Sequence, residues 1–251
     1  MKDFTLKKYY KLLKSLIDNC YALTTVADFI KSPKEKVFIL RHDVDDLPEN
    51  ALQTAQIQNK LGVKGTYYFR MVKQSYNPVI VDEIATLGHE IGYHYEDLTL
   101  CKGDINEAIK NFEKNLAQLR KHYPVETICM HGSPLSKYDN RDIWKVFDYK
   151  KYGIIAEPYF DIDFNQVFYL TDTGRAWNNA AASIRDKVTS GFNCSYGSTD
   201  DIIYAVQNNL FPYKVLQNIH PQRWTNNPIL WYKEWITQSL KNIVKKAIIK
   251  K

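Results

Sequence analysis

Apolar positions along the chain follow two rhythms. Residues 4–17 place Phe4, Tyr9, Leu12, Leu13, Leu16 and Ile17 at helical spacing with lysines between them, which predicts an amphipathic helix. A short helix over 24–30 closes at Ser32-Pro33. Val37 to Leu40 is then an unbroken apolar run that turns to charge at Arg41-His42-Asp43, as a buried parallel strand does when it ends in a loop. The alternation continues with a helix over 49–61 stopped by Gly62, a strand over 64–69, a helix over 79–87 and a strand over 88–94. A long helix over 104–122 and a strand over 125–131 follow. The second half is less regular. It predicts strands at 164–170 and 214–219, and a helix over 198–209 with Ser198 or Thr199 as N-cap. Residues 171–197 read as a long loop carrying a short helix. From Trp231 on, Trp235, Ile236, Leu240, Ile243, Val244, Ala247 and Ile248 fall on one helical face. Lys241, Lys245, Lys246, Lys250 and Lys251 fill the other.

Strands alternate with helices, and Asp or His stands where several strands end. That pattern predicts an α/β chain folded as a distorted (β/α) barrel with its chemistry on the C-terminal rim. With 251 residues, 45% of them hydrophobic, the chain can bury one sizeable core. The expected organisation is a single domain, 1–251: a helical extension 1–35, the barrel 36–224 and a C-terminal helix 225–251. No internal repeat or low-complexity linker interrupts it.

The charge narrows the partners. The net charge is +6, much of it in the last helix, and no nucleic-acid fingerprint accompanies it, so no nucleic acid is expected. The last helix can lie on an anionic membrane, or pack on the barrel with its lysines solvated. The cysteines at 20, 101, 129 and 194 have no metal-knuckle or redox spacing, so free thiols are expected. The N-terminus carries lysine throughout, without a signal-peptide core, and no run approaches the ~20 apolar residues of a membrane span. A cytoplasmic chain, with peripheral contact at the inner face of the membrane as a variant, is the expectation. The 18 tyrosines suit either a sugar-facing cleft or a tyrosine-rich core.

Two clusters carry candidate chemistry. Asp43, Asp45 and Asp46 crowd three carboxylates into four residues, costly unless a cation or proton binds. In a strand Asp43 and Asp45 share a face. A divalent metal beside a carboxylate base explains this, and a solvated acidic loop capping the next helix is the alternative. In Gly88-His89-Glu90-Ile91-Gly92-Tyr93-His94, His94 ends a strand and is a candidate ligand. His89 lies about 16 Å back along an extended strand and belongs to the opposite end of the barrel. His42 alternates away from Asp43 and belongs outside the lumen. His131 ends the fourth strand and can approach the same ion as His94, hydrogen-bond a substrate, or serve structurally. His220 ends the last strand and can act as a general acid or be structural. Asp172 can orient a histidine or touch substrate, Arg175 can hold a phosphate or the base carboxylate, and Trp177 can floor a sugar site. Arg223 and Trp224, following His220, are further substrate-binding candidates.

Over roughly 36–224 the sequence resembles the polysaccharide deacetylase superfamily, metal-dependent carbohydrate esterases with a NodB-type barrel. Ile39 to Asp45 looks like a variant of the family's first motif, and Leu61 to Phe69 like its second strand. Gly88 to His94 matches the lead-in to its metal motif, and Ile219-His220 resembles the final motif that supplies the acid. His131 lies where the family has its third motif, and Asp172 to Trp177 lie near its fourth. The resemblance is strongest to an outlying branch associated with O-antigen or capsule synthesis. It implies Asp43 as base, Asp45 and His94 as metal ligands, His220 as acid, and removal of an acetyl group from an N-acetylated sugar in surface polysaccharide biosynthesis. Two departures stand out: Leu98 occupies the position of the family's second metal histidine, and Val44 splits the Asp pair. His131 or Asp97 can complete the ligand set. Such a set suits Zn²⁺, and also Co²⁺, Mn²⁺ or Fe²⁺. The competing readings are a non-catalytic glycan-binding or scaffolding barrel and a metal-dependent phosphoesterase.

Overall fold

The computed structural model describes residues 2–177 and 185–249. Its strands are β1 Ala22–Thr24, β2 Val37–Val44, β3 Thr66–Phe69, β4 Glu90–Tyr95, β5 Ile128–Met130, β6 Phe168–Thr171 and β7 Lys214–Ile219. They form one sheet in the order β5-β4-β3-β2-β7-β6, with β1 also paired to β2. Every strand pairing is parallel. β7 occupies one edge of β2, so β1 and β3 share the other. Ala22 stands opposite Val37 at its start, and Arg41 opposite Thr66 at its end.

The helices are α1 Leu6–Asp18, α2 Val26–Lys31, α3 Pro48–Lys60, α4 Pro78–Thr86, α5 Asp97–Leu100, α6 Ile105–Leu119, α7 Pro158–Asp161, α8 Thr199–Gln207 and α9 Pro228–Ile249. Local chemistry sets several of their starts. Thr5 accepts from the Lys8 amide, Asp104 from those of Asn106 and Glu107, and Ser198 from that of Asp201. Ser198, not Thr199, is therefore the cap of α8.

Strand periodicity sorts the core into an inside and an outside. Val37 and Ile39 of β2 point inward, where they meet Tyr68, Cys129, Tyr169 and Leu216. Phe38 and Leu40 point outward into a cluster shared with α1 and α8. Tyr67, Phe69, Ile91, Tyr93 and Tyr95 point outward beneath α3, α4 and α6. Cys129 on β5 and Tyr169 on β6 come from opposite ends of the strand order yet share the inner cluster. The sheet is thus curled into an open barrel with a packed lumen. Ile162, Phe164 and Val167 fill the gap between the two ends, and a parallel bridge from Thr127 to Ala156 extends the β5 side.

The departures from expectation have local causes. β1 is three half-buried residues, too short to show alternation, and it makes part of the 1–35 stretch a member of the sheet. The strand expected at 164–170 begins only at Phe168, because Phe164 and Val167 turn into the lumen before pairing starts. Residues 140–152, unassigned by pattern, contain the 3-10 turns Asn140–Lys145 and Tyr149–Tyr152. Of the loop with a short helix at 171–197, residues 185–197 carry no helix, and 178–184 lie outside the described residues. No disulfide joins the four cysteines. No described helix is long and apolar enough to cross a membrane.

Gly92 shows how tightly the lumen is filled. It stands opposite Tyr68, whose hydroxyl is tied to the Thr127 hydroxyl at 2.9 Å. A Cβ on Gly92 would overlap the Tyr68 ring and come within 3.0 Å of the Thr127 carbonyl oxygen. Gly92→Ala is expected to cost about 1–3 kcal/mol through overpacking. The check is the urea midpoint of unfolding. An unchanged midpoint would mean that the ring has room to move.

Candidate active site

The inward face of β2 passes from apolar to charged within one strand. After Val37 and Ile39 come Arg41 and Asp43, both buried, with Asp45 just past the strand end. The Arg41 guanidinium clamps Asp43 with two bonds, from Nε to Oδ1 at 2.9 Å and from Nη2 to Oδ2 at 2.6 Å. From the neighbouring β7, Asn218 Nδ2 donates to Oδ2 at 3.0 Å. Burial alone would raise the Asp43 pKa. Arg41, and then His94, overcome it and hold the carboxyl down at about 2.

Asp45 lies where two imidazoles converge. Its Oδ1 is 3.5 Å from His94 Nε2 and 3.6 Å from His131 Nε2. That oxygen is buried and has no hydrogen-bond partner. Each imidazole is oriented from behind. His94 Nδ1 lies 2.9 Å from the Cys129 carbonyl oxygen, and a carbonyl only accepts, so Nδ1 carries a proton and Nε2 is the nitrogen turned toward Asp45. His131 Nδ1 lies 2.9 Å from a Glu96 carboxylate oxygen, which fixes the same tautomer. Glu96 is held in turn by Arg70 Nε at 2.7 Å. Burial opposes the charge on Glu96, and His131 with Arg70 keeps its pKa below the usual range. Likewise burial would raise Asp45, but His131, His94 and His220 pull it well below the ordinary carboxylate value.

This donor set suits a divalent cation. Two ligands about 2.1 Å from one tetrahedral ion stand about 3.4 Å apart, close to both Asp45–imidazole separations. The backing of each imidazole by a carbonyl or carboxylate is the support that metal-binding histidines need. Among the described residues, Asp43, His94 and Cys129 bring ligand atoms within 4.8 Å of one another. Burial holds the Cys129 thiol well above its usual pKa, so a thiolate ligand there is disfavoured. The Asp45, His94 and His131 set carries no such cost.

On the far side of Asp45, His220 Nε2 is 3.8 Å from Oδ2. Its Nδ1 is 2.6 Å from Asp172 Oδ1, and Arg223 Nη1 is 2.7 Å from the same nitrogen. A nitrogen and a carboxylate oxygen this close share a proton, so Nδ1 carries it. The arginine then serves Asp172, whose Oδ1 and backbone oxygen lie 2.6 and 2.9 Å from Nη1. Trp224 Nε1 donates to the other Asp172 oxygen at 2.8 Å. Burial would raise Asp172, but Arg223 and His220 hold it down as a carboxylate.

Asp43, Asp45, His94, His131, His220 and Asp172 therefore meet at the C-terminal ends of β2, β4, β5, β6 and β7. Several other expected residues lie elsewhere. Arg175 does not reach the base carboxylate; it pairs with Glu234 and packs over Trp231, while Arg41 takes that place. Trp177 does not floor a cleft. It is buried between Phe4 and Trp224, with its indole N–H on Thr199. Arg223 and Trp224 are buried behind His220, where they hold Asp172 rather than offering a surface to substrate. Asp97 does not complete the ligand set. It faces outward to Tyr93, Asn111 and Asn115, and burial raises it to about 6. Leu98 packs in the outer core.

His89 bridges the Gly65 amide and the Ala55 carbonyl at the other end of β4, and burial lowers it to about 4. His42 stacks on Tyr67 outside the lumen, with ring centroids 4.1 Å apart, and burial lowers it to about 3. Arg41, Glu96 and Asn218 were not assigned roles from sequence. Each sits two residues from a candidate on the same strand or strand end, and that spacing was the available signal.

No family model matches the chain, and no curated protein matches it. Among solved structures it is similar to the peptidoglycan deacetylase PdaC from Bacillus subtilis, solved as a mutant. The identity is 12% and the TM-score 0.39, over 86% of this chain and 98% of that one. It is also similar to the Xyl-CE4 domain of a multidomain xylanase from the hindgut metagenome of Trinervitermes trinervoides. There the identity is 15% and the TM-score 0.34, over 80% of this chain and 92% of that one. Both likenesses are distant, and the chemistry of the site stands on its own geometry.

Proposed function

We propose that the chain is a metal-dependent hydrolase that removes an acetyl group from an N-acetylated sugar in surface polysaccharide biosynthesis. One observation carries this reading: the buried, unpartnered Asp45 Oδ1 placed 3.5 and 3.6 Å from two imidazole nitrogens that are both oriented from behind. Asp45, His94 and His131 would hold the ion, with Zn²⁺ as the first candidate and Co²⁺, Mn²⁺ or Fe²⁺ compatible with the same donors. A divalent cation there would polarise an acetyl carbonyl and stabilise negative charge on its oxygen.

The chain's own groups supply the proton handling. Arg41 holds the Asp43 carboxyl below the usual carboxylate range, so it is ionised at neutral pH and would act as the base toward the attacking water. Arg41 and Asn218 fix its orientation. His220, oriented by Asp172 through Nδ1, presents Nε2 to the opposite side of Asp45 and would donate a proton to the leaving amine.

Phosphate chemistry is less well served. The nearby arginines are already committed: Arg41 to Asp43, Arg70 to Glu96, Arg223 to Asp172, and Arg185 to the carbonyls of Gly132, Ser133 and Ser136. The test is to incubate the Zn²⁺- or Co²⁺-loaded chain with N-acetylated sugars (free, nucleotide-linked and lipid-linked) and with phosphate monoesters. Acetate release that a chelator abolishes is the expected result. Phosphate release without acetate would transfer the reading to a phosphoesterase.

A further inference from the structure

α9 is mounted with its polar side against the barrel. Glu234 pairs with Arg175 and lies 3.9 Å from Arg223 Nε. Asn242 donates to the Gly174 carbonyl at 2.8 Å, and the Trp231 indole donates to the Asp3 carbonyl at 2.7 Å. Gln238, between them, is buried. With 3.6 residues per turn, Tyr232, Ile236, Leu240 and Ile243 fall on the opposite side of the helix. They are exposed, Leu240 by 60% and Ile243 by 66%. A surface helix normally buries its apolar stripe and solvates its polar one. Here the arrangement is reversed, leaving an apolar stripe about 17 Å long uncovered.

Charge identifies what covers it. From Pro228 to the last residue the sequence holds six lysines, at 233, 241, 245, 246, 250 and 251, and one acid, Glu234. That acid is turned inward onto arginine. Lys2 adds another cation over the Tyr232 ring, 3.9 Å from its centroid. A second copy of this chain would bring lysine against lysine with no carboxylate on the helix to answer it. An anionic surface would satisfy both features, receiving the apolar stripe and attracting the lysines. The helix does not span, since no described helix is apolar enough to cross a bilayer.

We propose that α9 docks the protein on the surface of an anionic lipid bilayer, its Tyr232–Ile243 stripe in the headgroup layer. Nothing in this depends on the hydrolytic reading, and its test does not read activity. The full chain is sedimented with vesicles of phosphatidylglycerol mixed with phosphatidylcholine, and with vesicles of phosphatidylcholine alone, at low and raised salt. The comparison protein carries Ile236→Glu and Leu240→Glu, two exposed positions whose replacement removes no core contact. Thermal melting verifies its fold, and light scattering without lipid gives the oligomeric state of both proteins. Expected is partition onto the anionic vesicles at least about tenfold above the neutral ones, weakened by salt and reduced about tenfold or more in the double variant. Partition unchanged in the variant, or absent from anionic vesicles, would overturn the proposal. So would a wild-type dimer that the variant converts to monomer, since a second copy would then be the occupant.

Discussion

Replacing Arg41 by methionine is expected to destabilise the protein by about 3–5 kcal/mol, the cost of leaving a buried carboxylate without its cation. Arg41 and Asp43 are both almost fully inaccessible and joined by two short bonds. Asn218 would remain on Asp43, but one neutral amide cannot replace a guanidinium. The pH behaviour should change with it. In the native protein the folded pKa of Asp43, about 2, is below its ordinary 3.8. The stabilisation is therefore complete above 3.8 and is lost as pH falls through 2. Without Arg41, burial is opposed less and the pKa rises. Activity that needs ionised Asp43 should then show a new acid limb. Combining Arg41→Met with Asp43→Asn should recover part of the stability, because no unpaired charge remains. Equilibrium denaturation of the three variants reads the effect. A loss below about 1 kcal/mol in Arg41→Met would show that solvent reaches the pair.

Asp172→Asn should act on turnover instead. Asp172 receives the His220 ring, the His220 amide, Arg223 and Trp224, so it fixes both the tautomer and the position of the imidazole. An asparagine fills the same space but can turn its amide toward Nδ1, moving the ring proton to Nε2 and removing the charge that supports an imidazolium. By analogy with a triad histidine that loses its carboxylate, turnover should fall about 10²–10⁴-fold with metal content unchanged. Rate and metal content are measured on the same preparation. Full activity would remove His220 from the proton path.

Much of the architecture was legible because the strands of a parallel barrel are buried on both faces. The runs ending at Asp43, His94 and His220 read as strands, and their polar ends marked the rim. The same periodicity placed His42 and His89 away from the site. What escaped depended on contacts between distant segments. Nothing local in Asp172 to Trp177 tells that Asp172 turns inward to His220 while Trp177 packs outward on Phe4 and Trp224. Arg175 looked available for a carboxylate, but Arg41 on the same strand reaches Asp43 without crossing the barrel. The His131 imidazole, from the neighbouring β5 end, takes up a position beside Asp45 and His94, while Leu98 packs in the outer core. Sequence spacing left that arrangement open, since it arises from adjacent strands rather than from one motif.

The measurement that tests the central claim most directly is the metal content of the purified full chain by elemental analysis, before and after incubation with Zn²⁺, alongside Asp45→Asn and His131→Ala. The site predicts about one ion per chain in the native protein. It predicts loss in Asp45→Asn, and weakening of about 10-fold or more in His131→Ala. An ion retained in both variants would place the metal elsewhere, on Asp43, His94 and Cys129. A native chain that takes up no Zn²⁺, Co²⁺ or Mn²⁺ would contradict the account and put the non-catalytic binding-barrel reading first.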